Sequence, residues 1–130
     1  MTLSSLINET PERLNVMLAE AAGYTPIEEP ESPGYWCVLH KPTGRTIGYR
    51  NGLSKEHAQA VLSPKFCSDL NAVAEVEAKL TDEQHERFRL ELSHMIKRTH
   101  GLVMSKAEYR SWFSATARQR TIALILTLQP

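Results

Sequence analysis

The stretch from Thr116 to Leu128 limits what this chain can fold into more than any other. Thr116 and Gln119 are three residues apart, the spacing of a capping box, so a helix opens there. After Arg120 the stretch runs Thr121-Ile122-Ala123-Leu124-Ile125-Leu126-Thr127-Leu128 without a charge. A helix that is apolar nearly all round has to be enclosed by other elements. Everything upstream must therefore supply the surface that encloses it, and nothing within it is a catalytic motif.

The chain of 130 residues is long enough for one domain that buries its own core without a covalent staple. The expected organisation is a flexible start over residues 1–10 and a single α+β domain over residues 11–130. Lys plus Arg is 15 and Asp plus Glu is 15, so the formal charge is zero and exerts no long-range pull on DNA or an anionic membrane. Nucleic acid is thus not an expected partner. Cys37 and Cys67 have neither disulfide-framework nor zinc spacing, and packed thiols in a reducing cytosol are expected. Residues 1–6 lack a basic leader followed by an apolar run, and Ile122 to Leu126 falls far short of the roughly 20 residues that span a bilayer. These features point to a cytoplasmic location with no membrane partner.

Along the chain, Thr10-Pro11 reads as a cap with proline at the first helical position, and Leu14, Met17, Leu18 and Ala21 form a helical stripe as far as Gly23. Tyr24 to Gly34 holds Pro26, Pro30 and Pro33 together with Glu28, Glu29 and Glu31, and is expected to be an acidic loop. Tyr35 to His40, a turn at Gly44, and Thr46 to Tyr49 form the clearest β-hairpin, with apolar groups on both faces. Ser54 opens a short helix to Leu62, with Ala58, Val61 and Leu62 inward. Ser68 or Asp69 caps another helix through Leu80. The Thr81–Gln84 capping box starts a helix whose buried stripe is Phe88, Leu92, Met95 and Ile96, ending at His100-Gly101. Leu102-Val103-Met104 is a candidate third strand, and Ser105 to about Phe113 a short helix. The predicted fold class is α+β and helix-rich: a small antiparallel sheet packed with four to six helices.

Candidate chemistry is sparse. Cys37 and His40 form a C-x-x-H pair, but residues three apart on a strand point to opposite faces and do not share a metal. Cys67 precedes a helix start, which favours a thiolate, while Asp69 opposes it. The carboxylate pairs lie on polar helix faces. No acid, base and nucleophile fall into a recognisable set, so neither an enzyme nor a cofactor is expected. Arg118 and Arg120 are the sharpest signal, because cations in the first turn oppose the helix dipole by roughly 0.3–1 kcal/mol each. Either they pair with acids such as Asp69, Glu75, Asp82 or Glu83, or they and Gln119 hold an anion at the helix start. Trp36 and Trp112 are core aromatics or interface anchors, and Glu28, Glu29 and Glu31 are a connector or a binding arm.

Three stretches occur in a telling order: the Leu14–Tyr24 opening with the Trp36 hairpin; Ser63-Pro64-Lys65-Phe66-Cys67-Ser68-Asp69-Leu70-Asn71-Ala72; and Trp112-Phe113-Ser114-Ala115-Thr116-Ala117-Arg118-Gln119-Arg120. This order resembles a group of small tailed-phage and prophage proteins of unassigned role. That group is similar in turn to phage "ABA sandwich" domains, in which helices cover both sides of a small sheet. The segment between Gly101 and Ala115 departs from that pattern, since it reads as partly helical where the sandwich has a strand. The resemblance carries over no catalytic residues. It implies a phage-encoded accessory protein that binds a host protein complex in the host cytoplasm; the apolar stripes on at least four helices fit either a monomer with one core or a homodimer joined through a spare face. Inhibition of a defence system, as by an anti-CRISPR, is the specific version. The alternative is a module that sequesters an anionic nucleotide near Arg118, Arg120 and Trp36 or Trp112.

Overall fold

In the structure, a computed structural model that describes residues 1–51, 54–100 and 115–129, the apolar helix is enclosed as its composition demands. The elements run α1 (Leu3–Ile7), α2 (Pro11–Ala21), β1 (Tyr24–Glu28), β2 (Tyr35–His40), β3 (Arg45–Asn51), α3 (Lys55–Leu62), a 3-10 turn (Phe66–Ser68), α4 (Leu70–Glu77), α5 (Asp82–His100) and α6 (Ala117–Leu128). The class is α+β, with six α-helices and one three-stranded antiparallel sheet among the described residues.

Thr121 to Thr127 is buried without a break. α6 packs on α5, α2, the 3-10 turn, α4 and α1, so it is the axis of the helical layer. Its two buried threonines cost little, because each hydroxyl donates to the carbonyl one turn back: Thr121 to Ala117 and Thr127 to Ala123, both at 2.7 Å. The expected caps form: Thr116 and Gln119 at α6, and Thr81 and Gln84 at α5, where Thr81 N–H donates to Gln84 Oε1 at 2.9 Å. Phe88, Leu92, Met95 and Ile96 are buried as the α5 stripe. Thr10 caps α2, where Leu14 and Leu18 are buried but Ala21 is exposed, and Val16 and Ala19 complete the inner face.

The sheet is a meander in the order β1-β2-β3, packed on α3 and joined to the helical layer through α2. The hairpin of β2 and β3 is the expected one, and every residue of β2 is at least half-buried, so both faces are covered. The ladder slips between Cys37 and Val38, which face Tyr49 and Ile47, so Gly48 is the extra residue of a bulge. Its φ of 65° calls for glycine, and a Cβ there would also have to push aside the tip of the Leu62 side chain, 2.6 Å away.

Four expectations are corrected. The prolines predict a loop over residues 24–34, but residues 24–28 form β1, pairing Tyr24 with His40 through Glu28 with Trp36. Pro26 is tolerated because β1 is an edge strand, with one side outside the ladder. Residues 1–10 are expected to be flexible, but Thr2 and Ser5 make a capping box and Leu6 is buried. α4 stops at Glu77 rather than Leu80, and Leu70 is exposed. Val61 of α3 faces outward. The readings of Leu102–Met104 as a strand and of Ser105–Phe113 as a helix lie outside the described residues.

Candidate functional site

Three places hold the groups that chemistry could use. The first is the start of α6. Arg118 Nη2 donates to the carbonyls of Ile7 at 2.9 Å and Glu9 at 2.7 Å, so it secures the end of α1, where helix carbonyls lack partners. Arg120 Nη1 meets Glu77 Oε1 at 2.7 Å, and its Nε donates to the Ala115 carbonyl at 3.3 Å. The pairing expected for these arginines is thus half right in kind and different in partner. Asp69 caps its own helix, accepting from Asn71 and Ala72 N–H, and Glu77 takes the ion pair instead. Gln119 accepts from Thr116 N–H at 2.9 Å. A hollow of about 260 Å³ does lie beside Arg118 and Gln119, but its other walls include Ile7, Met95 and Ile122.

The second place is the β1–β2 turn. Glu28, Glu29 and Glu31 are all exposed, and Ile27 beside them is an exposed apolar side chain. The turn is tied down: Glu29 N–H donates to Tyr35 O at 2.8 Å, Tyr35 N–H to Ser32 O at 3.0 Å, and Gly34 N–H to Glu28 Oε2 at 3.0 Å. Trp36 follows on β2, half-buried, and its Nε1 is buried with no hydrogen-bond partner among the described residues. Trp112 lies outside the described residues.

The third place is a cleft that sequence reasoning missed. It lies where α2, α4 and α6 end and α5 begins, and has a volume of about 300 Å³. Tyr24 and His40 stack at 4.3 Å as its inner wall, and Phe66 meets Tyr24 edge-on at 6.2 Å. The only advance signal was the aromatic content of Tyr24 and His40. Their pairing across β1 and β2 was invisible while β1 was read as loop.

The titratable groups behave as packed groups. Burial raises the Cys67 thiol, despite the nearby Arg118 charge and Thr121 hydroxyl, which act the other way. Burial, then the Glu29 charge, raises the Cys37 thiol. Both cysteines are free thiols, and burial favours their protonated form. Burial, then the Lys79 charge, lowers His40 below its ordinary value, with Arg45 adding to this and a bond to the Ala22 carbonyl and the Glu75 charge opposing it. His40 Nδ1 also meets Thr43 Oγ1 at 2.7 Å, which holds the ring in place against Tyr24.

A pH dependence follows. With the folded value lowered, the unfolded chain binds the His40 proton first as pH falls, so the slope of stability with pH is positive in that window. Stability from His40 is complete above roughly pH 6.5, the unfolded value, and drains away as pH falls towards the folded value. Urea midpoints between pH 7.5 and 5 should fall more steeply for the natural chain than for His40→Gln. Parallel curves would refute this role.

Comparisons with protein-family models, with curated proteins and with solved structures give no match. The phage resemblance therefore rests on the short motifs alone.

Proposed function

We propose that this chain is a phage-encoded, non-enzymatic accessory protein that acts by binding a host factor in the host cytoplasm. Blockade of a host defence complex, in the manner of an anti-CRISPR, is its specific form. One observation carries the reading. The charges at the start of α6 are spent on the fold, whereas Glu28, Glu29 and Glu31 are held exposed in one ordered turn. Three carboxylates in a pre-formed turn suit a basic patch on a partner, steering its approach without a large ordering cost.

The test uses tagged protein recovered gently from bacterial cells and weighed by native mass spectrometry, which also counts protomers. The expected result is a defined complex with one host protein. Changing Glu28, Glu29 and Glu31 together to Gln keeps the acceptor that Gly34 uses but removes three charges. Exposed ion pairs contribute modestly, so a loss of about tenfold in affinity is expected for the triple variant, together with weaker salt dependence. An unchanged complex would remove the turn from the reading, and protein recovered bare would count against the reading itself.

The second reading, a small anionic ligand, finds no spare cation pair at the start of α6. Its support is in the cleft below Tyr24 and His40.

A further inference from the structure

We propose that the cleft between the ends of α2, α4 and α6 binds a small organic monoanion, its apolar body against Ala22, Pro42, Val76 and Leu128 and its acidic head at Lys79 and Arg45. This rests on the small-ligand reading and is independent of the acidic turn.

The cleft's volume of about 300 Å³ sits at the lower end of the range for ligand pockets, so the occupant is small. A second hollow of about 350 Å³ adjoins it, sharing Glu75 and Lys79 and adding Thr43 and Arg45. One pocket thus has an apolar interior and a charged mouth. The interior is pre-formed, because His40 is held by the stack on Tyr24 and by Thr43 and cannot swing in to fill it.

Charge selects the head group. Lys79 and Arg45 against Glu75 leave one net positive charge at the mouth, and the neutral His40 adds none. Arg45 and Glu75 approach only to 3.9 Å, with side chains 57% and 64% exposed, so that ion pair is weak and costs little to reorganise around a ligand. Three helix C-termini also face the cleft, and their partial negative charges would favour a cation if left alone. They are met from within. The Leu18 and Glu20 carbonyls accept from Ala22 and Gly23 N–H at 2.8 and 3.2 Å, the Val76 and Glu77 carbonyls accept from Lys79 and Leu80 N–H at 3.1 and 3.2 Å, and the Gln129 carbonyl accepts from Arg87 at 3.3 Å. Full charges at the mouth therefore outweigh the half-charges behind them. Hydrogen-bonding groups inside are few, and Gln84 Oε1 is already taken by Thr81 N–H. A nucleobase would leave its polar edge unpaired there, at a cost, whereas an aromatic carboxylate has no such edge.

The probe is 2-naphthoate, compared with neutral 2-naphthamide and cationic 2-naphthylmethylamine by titration calorimetry and melting temperature. Saturable 1:1 binding of 2-naphthoate, with a rise in Tm, is expected, and weakening by about tenfold or more for both isosteres. Lys79→Glu, on an exposed side chain, should weaken 2-naphthoate by at least about tenfold, while its repulsion with Glu75 at the end of α4 lowers Tm without ligand by no more than about 5 °C. Ala21→Trp should fill the cleft from its exposed rim and abolish binding. Should that variant fail to fold, Lys79→Glu decides alone. The triple Gln variant of the acidic turn should bind 2-naphthoate as the natural chain does, so failure of one reading is separable from failure of the other. No binding at ~1 mM probe, equal or tighter binding of the amide or amine, or full binding by Lys79→Glu would each overturn the proposal.

Discussion

Leu124→Ala is expected to lower the free energy of unfolding by about 3–4 kcal/mol, which takes a large part of the stability of an ordinary domain. Leu124 is 0% exposed at the middle of α6, with Ala123 and Ile125 beside it equally enclosed. α5, α2, α4 and the 3-10 turn all pack on this helix, so no single neighbour is free to collapse into the space that three lost carbons would leave. The cost then includes the cavity as well as the lost transfer free energy. For a domain of this size the melting temperature should drop by roughly 10–15 °C. Leu90→Ala is the internal control: Leu90 lies on α5 but is 60% exposed, and its truncation should stay within about 0.5 kcal/mol. Urea unfolding followed by far-UV circular dichroism gives both values. Equal midpoints for the two variants would mean that α6 is not the axis of the core.

How far the sequence foretold this architecture depends on the range of the interactions involved. Local signals worked. The Thr10, Ser54, Thr81 and Thr116 caps, the α5 stripe and the hairpin of β2 and β3 are each determined by residues within a few positions of one another. Signals that required a distant partner did not. Pro26 argues against a strand until it is known that β1 lies at the sheet edge. Leu3, Leu6 and Ile7 fall at i, i+3 and i+4, but the stripe is a single turn long, and its order depends on distant partners: the core it packs on and Arg118 of α6, which holds the carbonyls of Ile7 and Glu9. Gly48 inside a strand pattern is a bulge signal in its own right, but which residue it sits opposite is set only once β2 and β3 are in register. The site was less legible still. The awkward cations at the start of α6 were the right residues to notice, but the distance to Glu77 and to the end of α1 is set by the whole fold. The cleft needs four helix ends and two strands in place before its residues become neighbours.

Arg120→Ala is expected to cost about 2–3 kcal/mol, more than a surface ion pair could account for. Its Nη1 lies 2.7 Å from Glu77 Oε1, and the two side chains are only 16% and 20% exposed. Removing the arginine leaves a mostly desolvated carboxylate without its counter-charge, and also strips a donor from the Ala115 carbonyl. A fully buried pair would lose 3–5 kcal/mol on such a change, and the residual solvent access lowers that figure. The same reasoning predicts a partial rescue. Glu77→Gln in the Arg120→Ala background should restore about 1 kcal/mol, because an amide left unpaired is less costly than a carboxylate left unpaired. In the natural background Glu77→Gln should instead destabilise, so the change of sign reports the coupling directly. Salt separates this from a surface contact, since a shielded pair should keep most of its coupling at 1 M salt while an exposed one loses it. If Glu77→Gln destabilises equally in both backgrounds, the two residues act independently. The dipole penalty of a cation at the start of α6 would then need another explanation.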